Sequence, residues 1–192
     1  MPSAPDQTNT IENEFRIVVD AQIVLAMFLT RRDRPKAASP KRRLLDLLVQ
    51  PTFHWLWTPD IINDYERGAN AVESDERINR RAEFDRTGFE LLLAALQLKP
   101  AVTVSVKTMR DARRRISQAP RAAERDLEDA VYLACGVDGH AQFLVTQDSD
   151  LRSLGETYQA VYIVNWNELE VELARRGLLA NERPWVMNSQ GL

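Results

Sequence analysis

The chain has 192 residues, of which 44% are hydrophobic and 28% charged, so it has enough apolar material for one sizeable core. Its 7 glycines and 9 prolines exclude collagen-like and low-complexity proteins, and its one cysteine, Cys135, excludes an intrachain disulfide framework. A net charge of −3 does not by itself indicate a nucleic-acid-binding protein. Apolar runs are too short to span a bilayer and the N-terminus has no signal-peptide pattern, so we expect a cytoplasmic globular protein.

Apolar and β-branched runs alternate along the first part of the chain. They predict a polar arm at 1–14, a buried strand at 15–19, a helix at 21–30, a basic loop at 31–43, a short helix at 44–49 and a strand at 53–57. Next, Thr58-Pro59-Asp60 places a capping residue, an N1 proline and a first-turn acid in succession. This combination predicts a helix that begins at residue 59 and continues past Glu66.

The second part continues the alternation of helices and strands. It predicts a helical region at 74–98, a strand at 102–106, a helix from Pro120 to Cys135 capped by Gly136, a strand at 142–146, a helical turn at 151–154, a strand at 161–164 and a helix at 166–176. Several of these strands are uniformly apolar, which is typical of a parallel sheet covered on both faces. We therefore predict an α/β domain at 15–178 with a mostly parallel sheet, followed by a tail at 179–192.

Four acidic residues fall where such a fold brings side chains together. Asp20 ends the first strand, and Asp148 lies two residues after the strand that closes at Thr146. Asp129 lies at the rim of the apolar stripe of its helix, and Glu66 lies two turns into the helix after Thr58. Taken singly, each acid is most simply interpreted as a solvated surface charge. Converging on one edge of the sheet, they would repel one another unless a divalent cation, Mg²⁺ or Mn²⁺, lay between them.

Four segments carry a resemblance to a known family: FRIVVDAQIVLAMFL, TPDIINDYERG, RDLEDAVYLACG and QFLVTQDSDLRSL. In order and approximate spacing they resemble the PIN-domain nucleases, and most of all the VapC-like toxins of toxin–antitoxin systems. The likeness covers about residues 15–170, apart from 71–122. It implies a three-layer α/β/α fold, and it makes a set of four acids both catalytic residues and ligands of Mg²⁺ or Mn²⁺: Asp20, Glu66, Asp129 and Asp148. It also implies that Thr146 is the family's turn threonine and Asp150 an outer acid.

The resemblance has two departures that bear on activity. The family's Asp-Thr-Asn is Asp20-Ala21-Gln22 in this chain, and the glycine of its Thr-Gly-Asp turn is Gln147. Ala21 lacks the hydroxyl of the family's threonine, and Gln22 has a longer side-chain amide than the family's asparagine. Both changes affect the hydrogen bonds that orient the Asp20 carboxylate. Two functions therefore stay open. One is a metal-dependent endoribonuclease, the toxin of a toxin–antitoxin pair, and the other is a PIN-like protein without catalysis that binds RNA or another protein.

Two segments are strongly basic despite the acidic net charge. Residues 31–43 contain seven bases and one acid, and residues 107–125 contain seven bases and two acids. Either they are solvated surfaces, or they attract RNA phosphates. The residues predicted to bind RNA are Arg42, Arg43, Arg113, Arg114 and Arg115. The partners expected are single-stranded or structured RNA, an antitoxin protein and a second copy of the chain, but no membrane. If residues 107–125 do not bind RNA, the alternative is that they dock an acidic partner such as an antitoxin tail.

Overall fold

The computed structural model describes residues 14–33, 39–118 and 127–179. The strands are β1 (Phe15–Val19), β2 (Leu29–Arg31), β3 (Phe53–Leu56), β4 (Ala82–Phe84), β5 (Phe143–Val145), β6 (Thr157–Tyr158) and β7 (Val161–Val164). The helices are α1 (Ala21–Phe28), α2 (Arg43–Leu47), α3 (Pro59–Ser74), α4 (Glu76–Asn79), α5 (Arg86–Gln97), α6 (Val106–Ser117), α7 (Ala130–Asp138), α8 (Ser149–Arg152) and α9 (Trp166–Arg175). Short 3₁₀ turns at Pro40–Arg42 and Leu127–Asp129 precede α2 and α7.

The main sheet has five strands in the order β3-β1-β5-β7-β6. All neighbours are parallel except β6, which runs antiparallel to β7. In the centre, Val19 at the end of β1 is opposite Val145 at the end of β5, so both strands finish at the same edge. This arrangement confirms the predicted α/β fold with a mostly parallel sheet between helices.

The core lies around the central strands and α7. Ile17, Val18 and Val19 of β1 are fully buried, as expected for a strand covered on both faces. Along α7, every residue from 130 to 135 is buried, which explains its uninterrupted apolar sequence. The Thr58 cap is confirmed too, since its buried hydroxyl oxygen accepts the N–H of Ile61 at 3.2 Å and begins α3.

The predicted helical region at 74–98 is divided in the structure. Asp75 caps the short helix α4, and Asp85 caps α5 by accepting the N–H of Gly88 at 2.9 Å. Between them β4 pairs antiparallel with β2, with Leu29 opposite Phe84. Asp75 and Asp85 thus divide the predicted helical region into two helices. The strand between them belongs to a second, two-stranded sheet, which the sequence does not predict.

The strand predicted at 102–106 is wrong. Its alternation reflects burial, since Val102 and Val104 pack partly against the core. Among the described residues, a single backbone hydrogen bond joins the segment to the chain just after β3, from the Val102 N–H to the Trp57 carbonyl at 2.8 Å. Ser105 then accepts the N–H of Thr108 and begins α6. Capping therefore prevails over the β-branched pattern.

The boundaries of the remaining elements differ slightly. Gly136 lies inside α7 rather than at its end, and Gly139 occupies the C-cap. The predicted start of this helix at Pro120, most of the polar arm at 1–14 and nearly all of the tail at 179–192 lie outside the described residues. In the part of the chain that the structure describes, no helix is both long and apolar enough to cross a bilayer.

Candidate active site

Asp20 is the buried acid at the centre of the site. It follows β1 directly and caps α1, and only 5% of its surface is exposed. Its Oδ2 accepts the Thr146 hydroxyl at 2.6 Å, and its Oδ1 accepts the N–H of Gln22 at 3.4 Å. Burial raises the pKa of Asp20 to about 6, the two hydrogen bonds oppose that rise, and the nearby Asp148 and Asp64 add to it.

Asp148 approaches Asp20 from the end of β5. The fully buried Thr146 hydroxyl that donates to Asp20 also accepts the Asp148 N–H at 2.9 Å. The Asp148 carboxylate caps α8 with Oδ1, which accepts the N–H groups of Asp150 and Leu151. Its Oδ2 accepts the Gln22 side-chain amide at 3.3 Å. Gln22, one of the departures from the family pattern, therefore links the ends of β1 and β5.

The acid that α3 brings to this edge is Asp64. Asp64 is half-buried, accepts the hydroxyl of Tyr132 on α7 and accepts the Arg67 guanidinium at 2.8 Å. Its charge contributes to the raised pKa of Asp20. The sequence analysis predicts Glu66 as the acid of this helix, whereas the structure places Asp64 near Asp20.

Glu66 is exposed and faces a different neighbour. The pKa of Arg86 at the start of α5 is raised first by its hydrogen bond to Glu90 and also by charges that include Glu66. At 100° per residue, Glu66 and Asp64 lie on opposite sides of the buried stripe of α3. The structure therefore does not bring Glu66 to Asp20, whereas it does bring Asp64.

Asp129 ends the 3₁₀ turn before α7 and is half-buried. It lies three residues before Tyr132, which donates to Asp64, and residues three apart share a helix face. Asp129 is thus at the α7 end that adjoins Asp64, although it is not among the charges that raise the pKa of Asp20. Asp150, the outer acid, is half-buried in the first turn of α8.

The predicted RNA-binding arginines at the start of α2 form ion pairs within the protein. Arg42 forms an ion pair with Asp85 and lies over the Phe28 ring, 5.5 Å from its centroid. Arg43 is 3.4 Å from a carboxylate oxygen of Glu170 on α9. Among the described residues of this segment, Lys41 contacts the turn before Asp148, since its Nζ is 3.4 Å from the Gln147 side-chain oxygen, and the sequence analysis did not predict this contact.

The three consecutive arginines of α6 point to different surroundings. Arg114 pairs with Asp111 at 3.0 Å, and Arg115 donates to the Leu154 carbonyl. Arg113 instead lines a cavity of about 370 Å³ that Asp64 also lines, named here the Asp64 cavity. Of these three arginines, only Arg113 lines the cavity that contains Asp64.

The acidic side chains at this edge are of the type that binds hard divalent cations. Carboxylates of Asp20, Asp148 and Asp64 approach one edge from three elements, and burial, with smaller contributions from the other two carboxylates, raises the pKa of Asp20. Carboxylate oxygens are the ligands that Mg²⁺ and Mn²⁺ prefer. As they stand, no three acidic, histidine or cysteine side chains within the described residues are grouped closely enough to hold a metal ion. In this arrangement Arg67 supplies the positive charge beside Asp64.

Comparison with known proteins gives one match. A family model described as PIN domain matches residues 16–150, which includes Asp20, Asp64, Asp129 and Asp148. No curated protein and no solved structure matches the chain.

Proposed function

Because the chain belongs to the PIN domain family, we propose that it is a metal-dependent endoribonuclease that hydrolyses RNA phosphodiester bonds. PIN domains are generally nucleases and commonly use divalent metals. The observation that carries the proposal is the environment of Asp20, a buried carboxylate with a raised pKa beside two further carboxylates. A group of this kind is costly to keep unless a cation is bound during function.

In this proposal Asp20, Asp64, Asp129 and Asp148 hold Mg²⁺ or Mn²⁺. When bound, the cation supplies Lewis-acid chemistry, which acidifies a water for attack on phosphorus and stabilises charge on the leaving oxygen. Thr146 keeps Asp20 oriented, because its hydroxyl donates to Oδ2 while its own position is fixed by the Asp148 N–H. These hydrogen bonds hold the Asp20 carboxylate and the Asp148 backbone in place before a cation arrives.

Gln22 supports the proposal despite the departure from the family pattern. Its backbone N–H donates to Asp20 and its side-chain amide donates to Asp148. One residue thus performs the orienting role for both acids, so the loss of the family's threonine and asparagine at Ala21 and Gln22 is compatible with catalysis.

The alternative, a PIN-like protein without catalysis, is favoured by one observation. Both oxygens of Asp64 are engaged, one by the Tyr132 hydroxyl and the other by Arg67. If the Arg67 guanidinium stays bound to Asp64, then Asp64 forms an ion pair and does not bind a metal. Arg67 is more than half exposed, so its side chain has room to move when a divalent cation competes for Asp64.

The test is cleavage of single-stranded RNA with Mg²⁺ or Mn²⁺, and with EDTA. We expect cleavage by the wild type that EDTA stops, its loss in Asp64→Asn, and its retention in the matched control Glu66→Gln. The two substitutions remove one charge each from the same helix. Equal cleavage by Asp64→Asn and the wild type would contradict the metal site, and no cleavage by the wild type would favour the non-catalytic alternative.

We further propose that the nuclease is the toxin of a toxin–antitoxin pair, on the likeness to the VapC-like group. Expression of the wild type alone should then arrest growth, whereas Asp20→Asn should not. Co-expression of a short open reading frame that neighbours the gene should restore growth if it encodes the antitoxin. Growth unaffected by an active nuclease would contradict the toxin role and leave the nuclease proposal intact.

A further inference from the structure

A second cavity lies at the two-stranded sheet, outside the acidic site. Its volume is about 830 Å³, and it shares no lining residue with the Asp64 cavity. Four arginines, one aspartate and one alanine line it, and we name it the arginine cavity: Arg31, Arg32, Asp33, Arg80, Arg81 and Ala82. One arginine pair belongs to the basic segment 31–43 and the other lies just before β4, so the fold and not the sequence concentrates this charge.

Two of these arginines face each other across the two strands. β2 and β4 are antiparallel with Arg31 opposite Ala82, and the next residue, Arg32, donates its backbone N–H to the Arg81 carbonyl at 2.9 Å. Arg32 is therefore directly opposite Arg81. Like charges at opposed positions destabilise a sheet, and a two-stranded sheet is only marginally stable by itself. A pair of this kind is favoured when an anion binds between the two guanidiniums.

Carboxylates compensate only part of the charge of the arginine cavity. Two of its arginines have carboxylate partners, at 2.8 and 3.2 Å: Arg31 with Asp33, and Arg80 with Glu76. Within residues 14–33, 39–118 and 127–179, neither Arg32 nor Arg81 forms an ion pair, and both are exposed. The two guanidiniums that oppose each other are therefore those that can bind a ligand from solution.

The lining of the arginine cavity indicates the class of ligand. Guanidinium groups present planar pairs of donors that match phosphate oxygens. The other described lining residues are Asp33 and Ala82, which offer neither an aromatic ring for a base nor a large apolar surface. An acidic peptide depends on apolar anchors for much of its affinity, whereas the phosphates of an RNA strand bind through charge. The cavity thus favours a chain of phosphates over a peptide.

Two helices connect the acids to the arginine cavity. α1 begins at Asp20 and passes directly into β2; at about 12 Å for eight helical residues and about 10 Å for three strand residues, Arg31 lies at most roughly 22 Å from Asp20. α3 carries Asp64 and leads through α4 to the second arginine pair. The two helices lie side by side, since a Cβ at Gly68 would be 2.8 Å from Leu25 Cδ1. One RNA strand can therefore contact both places.

We propose that the arginine cavity binds backbone phosphates of the RNA strand at a distance from the phosphodiester that is cut. This inference rests on the proposed function, because it makes the ligand of the cavity the substrate of the acidic site. Contacts to phosphates position a nucleic acid without reading its sequence. The cavity therefore adds affinity for RNAs long enough to reach it and leaves the chemistry at the acids unchanged.

The test is the salt dependence of RNA binding in EDTA, where a metal-dependent enzyme does not cut. The probe is a labelled single-stranded RNA of about 20 nucleotides, which spans well over roughly 22 Å even when stacked at about 3.4 Å per nucleotide. Fluorescence anisotropy at several salt concentrations gives the slope of log affinity against log salt. Replacing Arg32 and Arg81 together by Ala should reduce that slope by about 1.4, at about 0.7 per phosphate contact of a single strand. With Mg²⁺ the same variant should raise KM and leave kcat unchanged.

Two further variants separate this effect from a general loss of charge or of fold. Replacing Arg114 and Arg115 together by Ala removes the same charge from α6, outside the arginine cavity, and should keep the wild-type slope. Arg81→Glu replaces the repulsion with an ion pair opposite Arg32, so the sheet should keep its fold and the slope should still fall. If the double variant at Arg32 and Arg81 fails to fold, Arg81→Glu serves in its place.

The outcomes are distinguishable from those for the nuclease itself. An unchanged slope in the cavity variants, or an equal reduction in the α6 variant, overturns the phosphate site even if the protein cuts RNA. Loss of binding to a polyglutamate peptide with an unchanged RNA slope also overturns it, because the cavity then docks an acidic protein. A reduction confined to the cavity variants supports the site even if the wild type cuts no RNA with any divalent metal, which would overturn the nuclease alone.

Discussion

Replacing Asp20 by Asn should stabilise the metal-free protein at neutral and alkaline pH. The folded protein raises the pKa of Asp20 from 3.8 to about 6, mainly through burial. Between these values the folded state keeps a proton that the unfolded chain has lost, so stability falls as the pH rises. The penalty of the buried carboxylate is absent below about pH 4 and complete above about pH 6.

The magnitude follows from the pKa. A rise from 3.8 to about 6 corresponds to about 3 kcal/mol of free energy of unfolding, at about 1.4 kcal/mol per pKa unit. Asn is uncharged and nearly the same shape, so most of the penalty should vanish. Its side-chain oxygen can still accept the Thr146 hydroxyl, whereas the long hydrogen bond from the Gln22 N–H is lost. For a protein of this length, about 3 kcal/mol raises the Tm by roughly 6–12 °C.

Thermal unfolding followed by circular dichroism across the pH range, in EDTA, measures the effect. Asp20→Asn should melt higher than the wild type by up to about 10 °C near pH 8, and the difference should vanish near pH 4. Addition of Mg²⁺ should raise the Tm of the wild type and narrow the gap, because a ligand that binds only the folded state stabilises it. Parallel melting profiles for the two proteins would show that Asp20 is not a penalised buried carboxylate, and would refute the reasoning.

Three further results are expected. Asp129→Asn should abolish RNA cleavage and leave the circular dichroism spectrum unchanged, since a neutral amide is a poor replacement for a carboxylate ligand; full, EDTA-insensitive cleavage would contradict this. Thr146→Val removes the buried hydroxyl between Asp20 and the Asp148 N–H and should destabilise the protein by about 2 kcal/mol in urea unfolding, whereas Thr146→Ser should restore most of that. Replacing Arg114 and Arg115 together by Ala should leave the salt slope of RNA binding unchanged, since both guanidiniums have partners in the protein; a slope reduced by about two would show otherwise.

The sequence predicts the central strands and the two acids that follow them because each signal is local. An apolar run that ends at an aspartate is both a buried strand and the cap of the next helix, as at Asp20. Thr146 and Asp148 repeat this relation after β5. Parallel strands then bring both ends to one edge, so this half of the site follows from pattern alone.

The choice between Asp64 and Glu66 could not be made in the same way. The buried stripe of α3 is set by Ile61, Tyr65 and their neighbours, and the two acids flank it on opposite sides. Periodicity shows which face is buried but not which flank meets α7. The contact between α3 and α7 is the hydrogen bond from the Tyr132 hydroxyl to Asp64. The two residues are 68 positions apart in sequence, so their contact depends on the tertiary fold.

Neighbouring strands β1 and β5 bring together residues 126 positions apart, and this separation has a consequence for the synthesis of the protein. Asp20 is made early, but the Thr146 hydroxyl and Asp148 are made long afterwards, and the Thr146 N–H is held in turn by the Val164 carbonyl of β7. Long-range pairs of this kind close only when their distant halves are both available. A nascent or truncated chain that ends before β5 therefore lacks an assembled site, so an incomplete product of this gene should be inert towards RNA.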